Sequence, residues 1–238
     1  MDAELPVALV TGAGRAGGLG PSIARALAAD GYRVVVHFHS SRADADRLAG
    51  ELGGMALGAD LSDEAEANSM MARVQQAFGR LDVLVNNAGV YHPGTLTGLK
   101  PEEWHAELDS TVSACFFTTR AALPLIRRSP CGRIINMGDS ACDKLTARET
   151  AIAYHIGKIG VLVLTRSFAR QEAPGGLTVN MVSPGILENS IDIDEAPTIP
   201  AGRFGRPDDI IGAIRFLLRP ESCYLNGSNL VVSGGWNL

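Results

Sequence analysis

The chain has 238 residues, of which 46% are hydrophobic and 20% charged, a composition that supports a large core and excludes a disordered chain. Its net charge of -5 and its scattered arginines argue against a nucleic-acid-binding surface. No apolar run approaches the ~20 residues that span a membrane, and no segment has the composition of a linker. We therefore expect one soluble domain over residues 1–238.

The N-terminus and the cysteines bear on the cellular compartment. Residues 1–4 are acidic where a signal peptide would be basic, which predicts a cytoplasmic protein. The cysteines lie far apart, without CxxC spacing or a histidine-rich neighbourhood, so reduced thiols and no metal site are expected. These cysteines are Cys115, Cys131, Cys142 and Cys223.

Short apolar runs rich in β-branched residues alternate along the chain with longer segments of helical period. The runs predict strands at 7–10, 34–36, 55–57, 83–85, 133–136, 179–182 and 230–232. Helices are predicted at about 21–30, 41–52, 63–78, 101–128, 150–173 and 207–218. This order predicts an α/β fold, a Rossmann-like, doubly wound parallel sheet of seven strands with helices on both faces. Ligands bind such sheets beyond the carboxyl ends of the strands.

The loop after the first strand, residues 11–20, contains five glycines and leads into a helix at Pro21. Glycines let the backbone approach a diphosphate closely, and the free N–H groups of a helix start favour its negative charge. The pattern predicts a dinucleotide site. Its contact residues would be Gly12, Arg15, Gly18, Leu19 and Gly20, although the division of roles among Gly17, Gly18 and Gly20 is open.

The loop after the second strand has no carboxylate until Asp44, whereas NAD sites place one there for the ribose hydroxyls. It offers instead groups that donate to a 2′-phosphate and neutralise it, with Arg15 as a second cation. These groups are His37, Ser40, Ser41 and Arg42. The loop therefore predicts NADP(H), and helix capping remains the alternative for Ser40 or Ser41.

Several motifs together resemble the short-chain dehydrogenase/reductase family over essentially the whole chain. They are the loop 11–20, Asp60-Leu61, Asn86-Asn87-Ala88-Gly89, Tyr154 with Lys158, Ser183-Pro184-Gly185, and the segment from Asn226-Gly227 to Gly234-Gly235. The resemblance implies that Asp60 and Leu61 flank the adenine. It also implies a homotetramer, assembled through the helices at 101–128 and 150–173, that acts on a small molecule. The resemblance also implies that two segments hold the cofactor from either side. Their residues are Asn87, Ala88, Gly89, Pro184, Gly185 and Ile186.

Tyr154 and Lys158 lie one helical turn apart and project from one face of a helix. A nearby ammonium favours a phenolate, so we expect Lys158 to lower the pKa of Tyr154 from ~10 towards neutrality. The resemblance implies that NADPH supplies a hydride, Tyr154 supplies the proton, and Lys158 also binds the nicotinamide ribose. The family's usual catalytic asparagine corresponds to Thr111, a candidate catalytic residue whose hydroxyl could still hold a water but cannot imitate an amide. That departure motivates the alternative of a catalytically reduced sensor or assembly partner that binds NADP(H).

The family's substrate-orienting serine corresponds to Asp139, which Ser140 follows. An ionised aspartate only accepts hydrogen bonds, so it suits a substrate that brings an N–H or a positive charge, whereas Ser140 would serve a ketone. Segments 37–41 and 136–139 resemble those of the pteridine reductase branch. The predicted reaction is therefore NADPH-dependent reduction of a C=O or conjugated C=N bond in a small cyclic or heterocyclic metabolite.

Bacterial 3-oxoacyl thioester reductases are the alternative within the same family. The segment 186–203 corresponds to the family's substrate lid and carries four acids, which argue mildly against acidic carrier-protein or coenzyme A substrates. Alternatively, these carboxylates only solvate a loop. They are Glu188, Asp192, Asp194 and Glu195.

Overall fold

The computed structural model describes residues 5–190 and 199–237. Seven parallel strands form one sheet in the order β3-β2-β1-β4-β5-β6-β7, which confirms the predicted doubly wound α/β fold. The strands are β1 (Val7–Val10), β2 (Arg33–Phe38), β3 (Met55–Gly58), β4 (Val83–Asn86), β5 (Arg133–Met137), β6 (Thr178–Pro184) and β7 (Asn229–Val232).

The helices agree with the predicted ones except in the middle of the chain. They are α1 (Leu19–Ala29), α2 (Arg42–Leu52), α3 (Glu64–Phe78), α4 (Pro101–Leu108), α5 (Ala114–Ile126), α6 (Ile152–Glu172) and α7 (Pro207–Leu218). A π-helical turn at Asp109–Ser113 separates α4 from α5. The prediction of one uninterrupted helix over 101–128 is therefore wrong at this turn, which contains Thr111.

Helices cover both faces of the sheet, and the central strands are buried on both sides for that reason. Successive residues of a strand point to opposite faces, so the residues of β1 divide between two apolar cores. Val7 and Leu9 pack with side chains from α3, α5 and α6, whereas Ala8 and Val10 pack with side chains from α1, α2 and α7.

A buried polar network fixes the carboxyl ends of β4 and β5 relative to two helices. The Nδ2 group of Asn86 donates to Thr119 Oγ1 on α5 at 3.0 Å and to Asn136 Oδ1 on β5 at 2.8 Å. Asn136 Nδ2 donates in turn to Thr165 Oγ1 on α6 at 2.8 Å. These hydrogen bonds position α6, which carries Tyr154 and Lys158, over the sheet edge where ligands bind.

Candidate active site

The loops that follow β1 and β4 are hydrogen bonded to each other. Thr11 Oγ1 accepts the backbone N–H groups of Asn87 and Ala88 at 2.9 and 3.0 Å, and Asn87 Nδ2 donates to Thr11 O at 2.9 Å. Gly12 has φ +63, and a Cβ there would lie 2.8 Å from the Cα of Ala88. Glycine is required at position 12 both by the backbone conformation and by this close approach.

The start of α1 has the features of an anion-binding site. Its N-cap is Gly18, which has no side chain to accept the first N–H groups of the helix. Leu19 and Gly20 begin the helix, and a Cβ on Gly20 would lie 2.7 Å from Asn87 Nδ2. Exposed Arg15 lies beside this helix start and lines the same cleft as Tyr154. Free helix N–H groups beside an arginine fit the diphosphate of a dinucleotide.

The structure corrects the expected role of His37. The residue lies within β2 and is buried, with Nδ1 accepting the Gly12 N–H at 3.0 Å and Nε2 3.0 Å from Ala59 O. These two contacts require the neutral imidazole with its proton on Nε2. Burial lowers the pKa of His37 to about 4, so the ring carries no charge for a phosphate at neutral pH. His37 supports the glycine-rich loop from beneath instead of contacting a 2′-phosphate.

The other polar groups of this loop lie at its surface. Ser40 and Arg42 are exposed, and the Arg42 guanidinium lies 5.1 Å from the centre of the Phe38 ring. Ser41 is the N-cap residue of α2, yet its side chain makes no capping hydrogen bond. Ser40, Ser41 and Arg42 follow one another along the chain just beyond the end of β2. Donors of this kind suit a phosphate group.

The remaining predicted cofactor residues lie along the carboxyl edge of the sheet. Asp60 is held by Ser62, whose hydroxyl and N–H donate to Oδ1 and lower the pKa of the Asp60 carboxyl. Leu61 is buried. A Cβ on Gly89 would lie 3.9 Å from Lys158 Nζ, which puts the β4 loop next to the lysine. Pro184, Gly185 and Ile186 line the cleft.

Lys158 is buried, and its Nζ donates to Met137 O at the end of β5 at 2.8 Å. The same nitrogen lies 5.3 Å from the centre of the Tyr154 ring. Burial lowers the pKa of Lys158. The sequence pattern placed these two side chains on one helix face, and the structure brings them together at the cleft.

The acidity of Tyr154 differs from the expectation. Burial raises the pKa of the Tyr154 hydroxyl, and the nearby charge of Asp139 raises it further. The protein groups around Tyr154 therefore favour the neutral phenol, and the expectation that Lys158 brings its pKa towards neutrality is wrong for the protein alone. A neutral phenol is the form that donates a proton.

Asp139 and Ser140 both line the cleft, but they are held differently. Asp139 is half-buried, and its Oδ1 accepts the Ala141 N–H at 2.9 Å and lies 3.3 Å from Arg148 Nη2. Ser140 is buried, and its Oγ accepts Asn237 Nδ2 at 3.0 Å, which leaves the hydroxyl proton available to donate. The residues after β5 thus present a carboxylate paired with a guanidinium beside a serine hydroxyl.

The side chain of Thr111, the candidate catalytic residue of this region, lies buried between the π-helical turn and α6. Its hydroxyl is buried and donates to Glu107 O at 2.5 Å, within the π-helical turn. The same oxygen fills the space that a Cβ on Gly157 of α6 would occupy. Thr111 and Lys158 also line a small internal cavity of about 10 Å³, roughly the space of one water molecule. The threonine therefore closes the packing between the π turn and α6.

The cleft itself has a volume of about 760 Å³ and includes side chains that carry no recognisable motif. Tyr91 contacts Tyr154 edge-on, with 5.2 Å between ring centres, and Trp236 and Asn237 come from the C-terminal end of the described chain. Sequence reasoning missed all three. Tyr91 stands two residues after the Gly89 motif, which is a usable signal, whereas Asn237 reaches the site only through the fold.

The predicted acidic lid is described only in part. Glu188 is exposed, and its Oε2 lies 4.0 Å from Arg206 Nε. On the same side of the cleft, Asn189 Nδ2 donates to Gly17 O at 2.8 Å and so links the β6 loop to the glycine-rich loop. The other three acids, Asp192, Asp194 and Glu195, lie outside the described residues.

Residues 5–190 and 199–237 contain neither a membrane-spanning helix nor a cluster of metal ligands. None of the helices there has the length and apolar character needed to cross a membrane. Within the same ranges, no three histidine, cysteine, aspartate or glutamate side chains come together as metal ligands.

Comparison with known proteins gives similarity over nearly the whole chain. A family model described as Enoyl-(Acyl carrier protein) reductase matches residues 12–237. A 3-oxoacyl-[acyl-carrier-protein] reductase from Synechocystis sp. is 35% identical over 240 residues, which cover 96% of each chain. The 3-oxoacyl-[acyl-carrier-protein] reductase FabG of Vibrio cholerae is 37% identical over 246 residues, 99% of this chain and 98% of the relative.

Solved structures are likewise similar to this chain over nearly its whole length. A short chain dehydrogenase from Burkholderia cenocepacia J2315 in complex with NADP has a TM-score of 0.89 and 31% identity, over 99% of this chain and 100% of that chain. A blue fluorescent protein from a metagenomic library in complex with NADPH has a TM-score of 0.87 and 30% identity, over 98% of both chains.

The contact between Thr111 and Gly157 leads to a prediction about stability. Gly157→Ala should lower the free energy of unfolding by about 1–3 kcal/mol, because the new methyl group overlaps the Thr111 hydroxyl. In a Thr111→Ala background the same change should be neutral or should stabilise by up to about 1 kcal/mol, as expected for alanine inside a helix. Urea unfolding of the four proteins at one protein concentration measures the coupling.

Gly212→Ala is the matched control, since Gly212 lies inside α7 with no atom within 4 Å of its added Cβ. Equal effects of Gly157→Ala with and without Thr111 would contradict the packing described above.

Proposed function

Because the chain belongs to the short-chain dehydrogenase/reductase family, we propose that it is an NADPH-dependent reductase whose proton donor is Tyr154. The relatives support the cofactor, since one solved neighbour is a complex with NADP and another a complex with NADPH. The observation that carries the proposal is the pairing of Tyr154, a half-buried residue whose surroundings favour the neutral phenol, with Lys158, beside a cleft that a glycine-rich helix start borders.

The residues of this chain fit the cofactor. The Gly18 helix start and Arg15 would hold the diphosphate, and Ser40, Ser41 and Arg42 would hold the 2′-phosphate. The backbones of Asn87–Gly89 and Pro184–Ile186 would border the nicotinamide half. When bound, NADPH supplies the hydride.

The protein contributes orientation and a proton. Lys158, fixed by its hydrogen bond to Met137 O, would donate to the nicotinamide ribose. Tyr154 would donate its phenolic proton to the atom that gains negative charge as the substrate is reduced. Its raised pKa keeps that proton in place before substrate arrives.

For the substrate we propose the carbonyl group of a 3-oxoacyl thioester. Two relatives with this activity in their names align with 96% or more of the chain, and they support this alternative better than a cyclic or heterocyclic substrate. The Ser140 hydroxyl retains a proton to donate to a carbonyl oxygen.

Asp139 favours a second candidate, reduction of a conjugated C=N bond in a heterocycle. Its carboxylate lines the cleft and raises the pKa of Tyr154, so its charge acts at the reacting centre. A carboxylate there would accept an N–H of such a substrate, whereas it opposes the oxyanion that develops in carbonyl reduction.

Replacing Asp139 by serine distinguishes the two candidates. With an acetoacetyl thioester and NADPH, Asp139→Ser should raise kcat/KM about tenfold, because a negative charge beside the developing oxyanion is removed. With a dihydropterin, the same change should abolish or strongly reduce turnover. Steady-state assays of both substrates measure this, and Tyr154→Phe should lower kcat by about 10²- to 10⁴-fold for whichever substrate reacts.

Turnover of the dihydropterin alone would favour the heterocycle candidate. Absence of turnover with both substrates, while NADPH still binds, would favour instead the catalytically reduced sensor.

The proposed 2′-phosphate site predicts the cofactor preference. Arg42→Ala should weaken NADPH binding by about ten- to a hundredfold, the effect of losing a charge-assisted hydrogen bond, and should leave NADH affinity within about twofold. Fluorescence titration with each cofactor measures this. Arg47→Ala is the control, since Arg47 lies on the same helix and pairs with Asp44. Equal weakening of both cofactors would contradict a phosphate contact by Arg42.

We also propose that the chain forms a homotetramer through α4, α5 and α6, since α6 exposes Ile156 and Val163, at 41% and 58%. Light scattering at micromolar concentration should give about four times the chain mass of 25.1 kDa. Val163→Glu should produce smaller species, because it places a charge on that apolar face. A monomeric wild-type protein would contradict the proposal. The cytoplasmic location stays a prediction.

A further inference from the structure

Glu107 is a buried carboxylate that no part of the proposed reaction uses. It lies in α4, is 0% exposed, and makes two hydrogen bonds with backbone groups. Its Oε1 accepts the His92 N–H at 2.5 Å, and its Oε2 accepts the Tyr154 N–H at 3.0 Å. A carboxylate without solvent is strongly destabilising unless such bonds compensate it, so these bonds are the reason that the charge is tolerated.

The contact with the Tyr154 N–H completes the start of α6. Tyr154 is the third residue of that helix, and its N–H is one of those that have no partner within a helix. A serine or aspartate at the N-cap normally accepts such an N–H, but the N-cap here is Ala151, which has φ +52 and only a methyl group. Glu107 supplies the missing carboxylate from α4 and puts negative charge at the positive end of the α6 dipole.

The contact with the His92 N–H holds the loop that carries Tyr91. His92 follows Tyr91, and its ring Nδ1 lies 3.7 Å from Glu107 Oε1 in addition to the backbone bond. Tyr91 lines the cleft, and its ring meets that of Tyr154 edge-on. One carboxylate therefore binds the backbone of Tyr154 and the backbone next to its aromatic neighbour.

We propose that Glu107 is a positioning residue for proton donation: by accepting both N–H groups it fixes Tyr154 relative to the Tyr91 loop and to the bound substrate. The inference rests on the proposed role of Tyr154 as the proton donor. Glu107 acts through the backbone, since it does not contact the Tyr154 hydroxyl. Small displacements of a reacting group have large effects on rate, so loss of this support should appear in kcat.

Glu107→Gln is the decisive variant. Glutamine has the same size but a single acceptor oxygen, so its NH₂ group would face one of the two N–H donors. We expect kcat to fall about ten- to a hundredfold while the Kd of NADPH changes less than about twofold. Glu107→Asp keeps both acceptor oxygens on a shorter side chain, so it should be more active than Glu107→Gln and less active than the wild type. Glu102→Gln, an exposed carboxylate of the same helix, is the control and should match the wild type.

A second readout is independent of activity. The chain contains four tyrosines, so ¹⁵N-tyrosine labelling gives few amide signals, and Tyr154→Phe identifies the signal of Tyr154. In Glu107→Gln the Tyr154 amide should exchange with deuterium at least about tenfold faster, because its hydrogen bond is lost or weakened. Together, reduced kcat, retained NADPH affinity and faster exchange at this amide would support the inference.

Wild-type kcat in Glu107→Gln would overturn the inference, and so would a fall in kcat with unchanged exchange at the Tyr154 amide. If Tyr154→Phe keeps full turnover, the proton-donor role fails instead, and the proposed function fails with it. If Glu107→Gln does not fold, the same two measurements on Glu107→Asp decide. In that variant, a kcat and a Tyr154 amide exchange rate equal to those of the wild type would overturn the inference, since the side chain shortened by one methylene moves both acceptor oxygens away from the two N–H groups.

Discussion

The hydrogen-bonded pair of Asn86 and Asn136 holds the site-bearing helices to the sheet. Apolar packing in the two cores is strong but non-directional, and alone it would fix neither the rotation nor the height of α5 and α6. The asparagine pair adds direction, because Asn86 reaches Thr119 on α5 and Asn136 reaches Thr165 on α6. Because these side chains are buried, water cannot replace a lost hydrogen-bond partner. The hydrogen bonds therefore define the positions of α5 and α6 closely.

The same edge of the sheet concentrates the charges that act on the reacting centre. Lys158 is held at the end of β5, and Asp139 lies in the loop that follows that strand, paired with Arg148. Burial and the charge of Asp139 keep Tyr154 in the neutral, protonated form, whereas the charge of Arg148 acts in the opposite direction. Carbonyl and C=N substrates differ in the charge that they develop during reduction, so under the proposed function the carboxylate of Asp139 would bear on the choice between them.

Local patterns were sufficient to predict the sheet, most helix bounds and the convergence of Tyr154 with Lys158, since these depend on periodicity and short spacings. Local sequence patterns do not predict the burial of a side chain or its contacts with residues distant in sequence. His37 was predicted to bind a phosphate because the sequence does not show which way a strand residue points. The pKa of Tyr154 was predicted to be low because the sequence does not show how far the side chain is buried. Glu107 resembled any helix carboxylate, since its partners at His92 and Tyr154 are distant in sequence.

The neutral His37 ring makes the stability of the glycine-rich loop depend on pH. In the unfolded chain this histidine would take up a proton near pH 6.5, whereas burial in the fold delays that uptake to about pH 4. Between those values the unfolded chain binds the extra proton, so acid progressively shifts the balance towards unfolding. A protonated ring would also turn Nδ1 from an acceptor into a donor facing the Gly12 N–H. The histidine that shapes the nucleotide loop thus also sets a lower pH limit for keeping that shape.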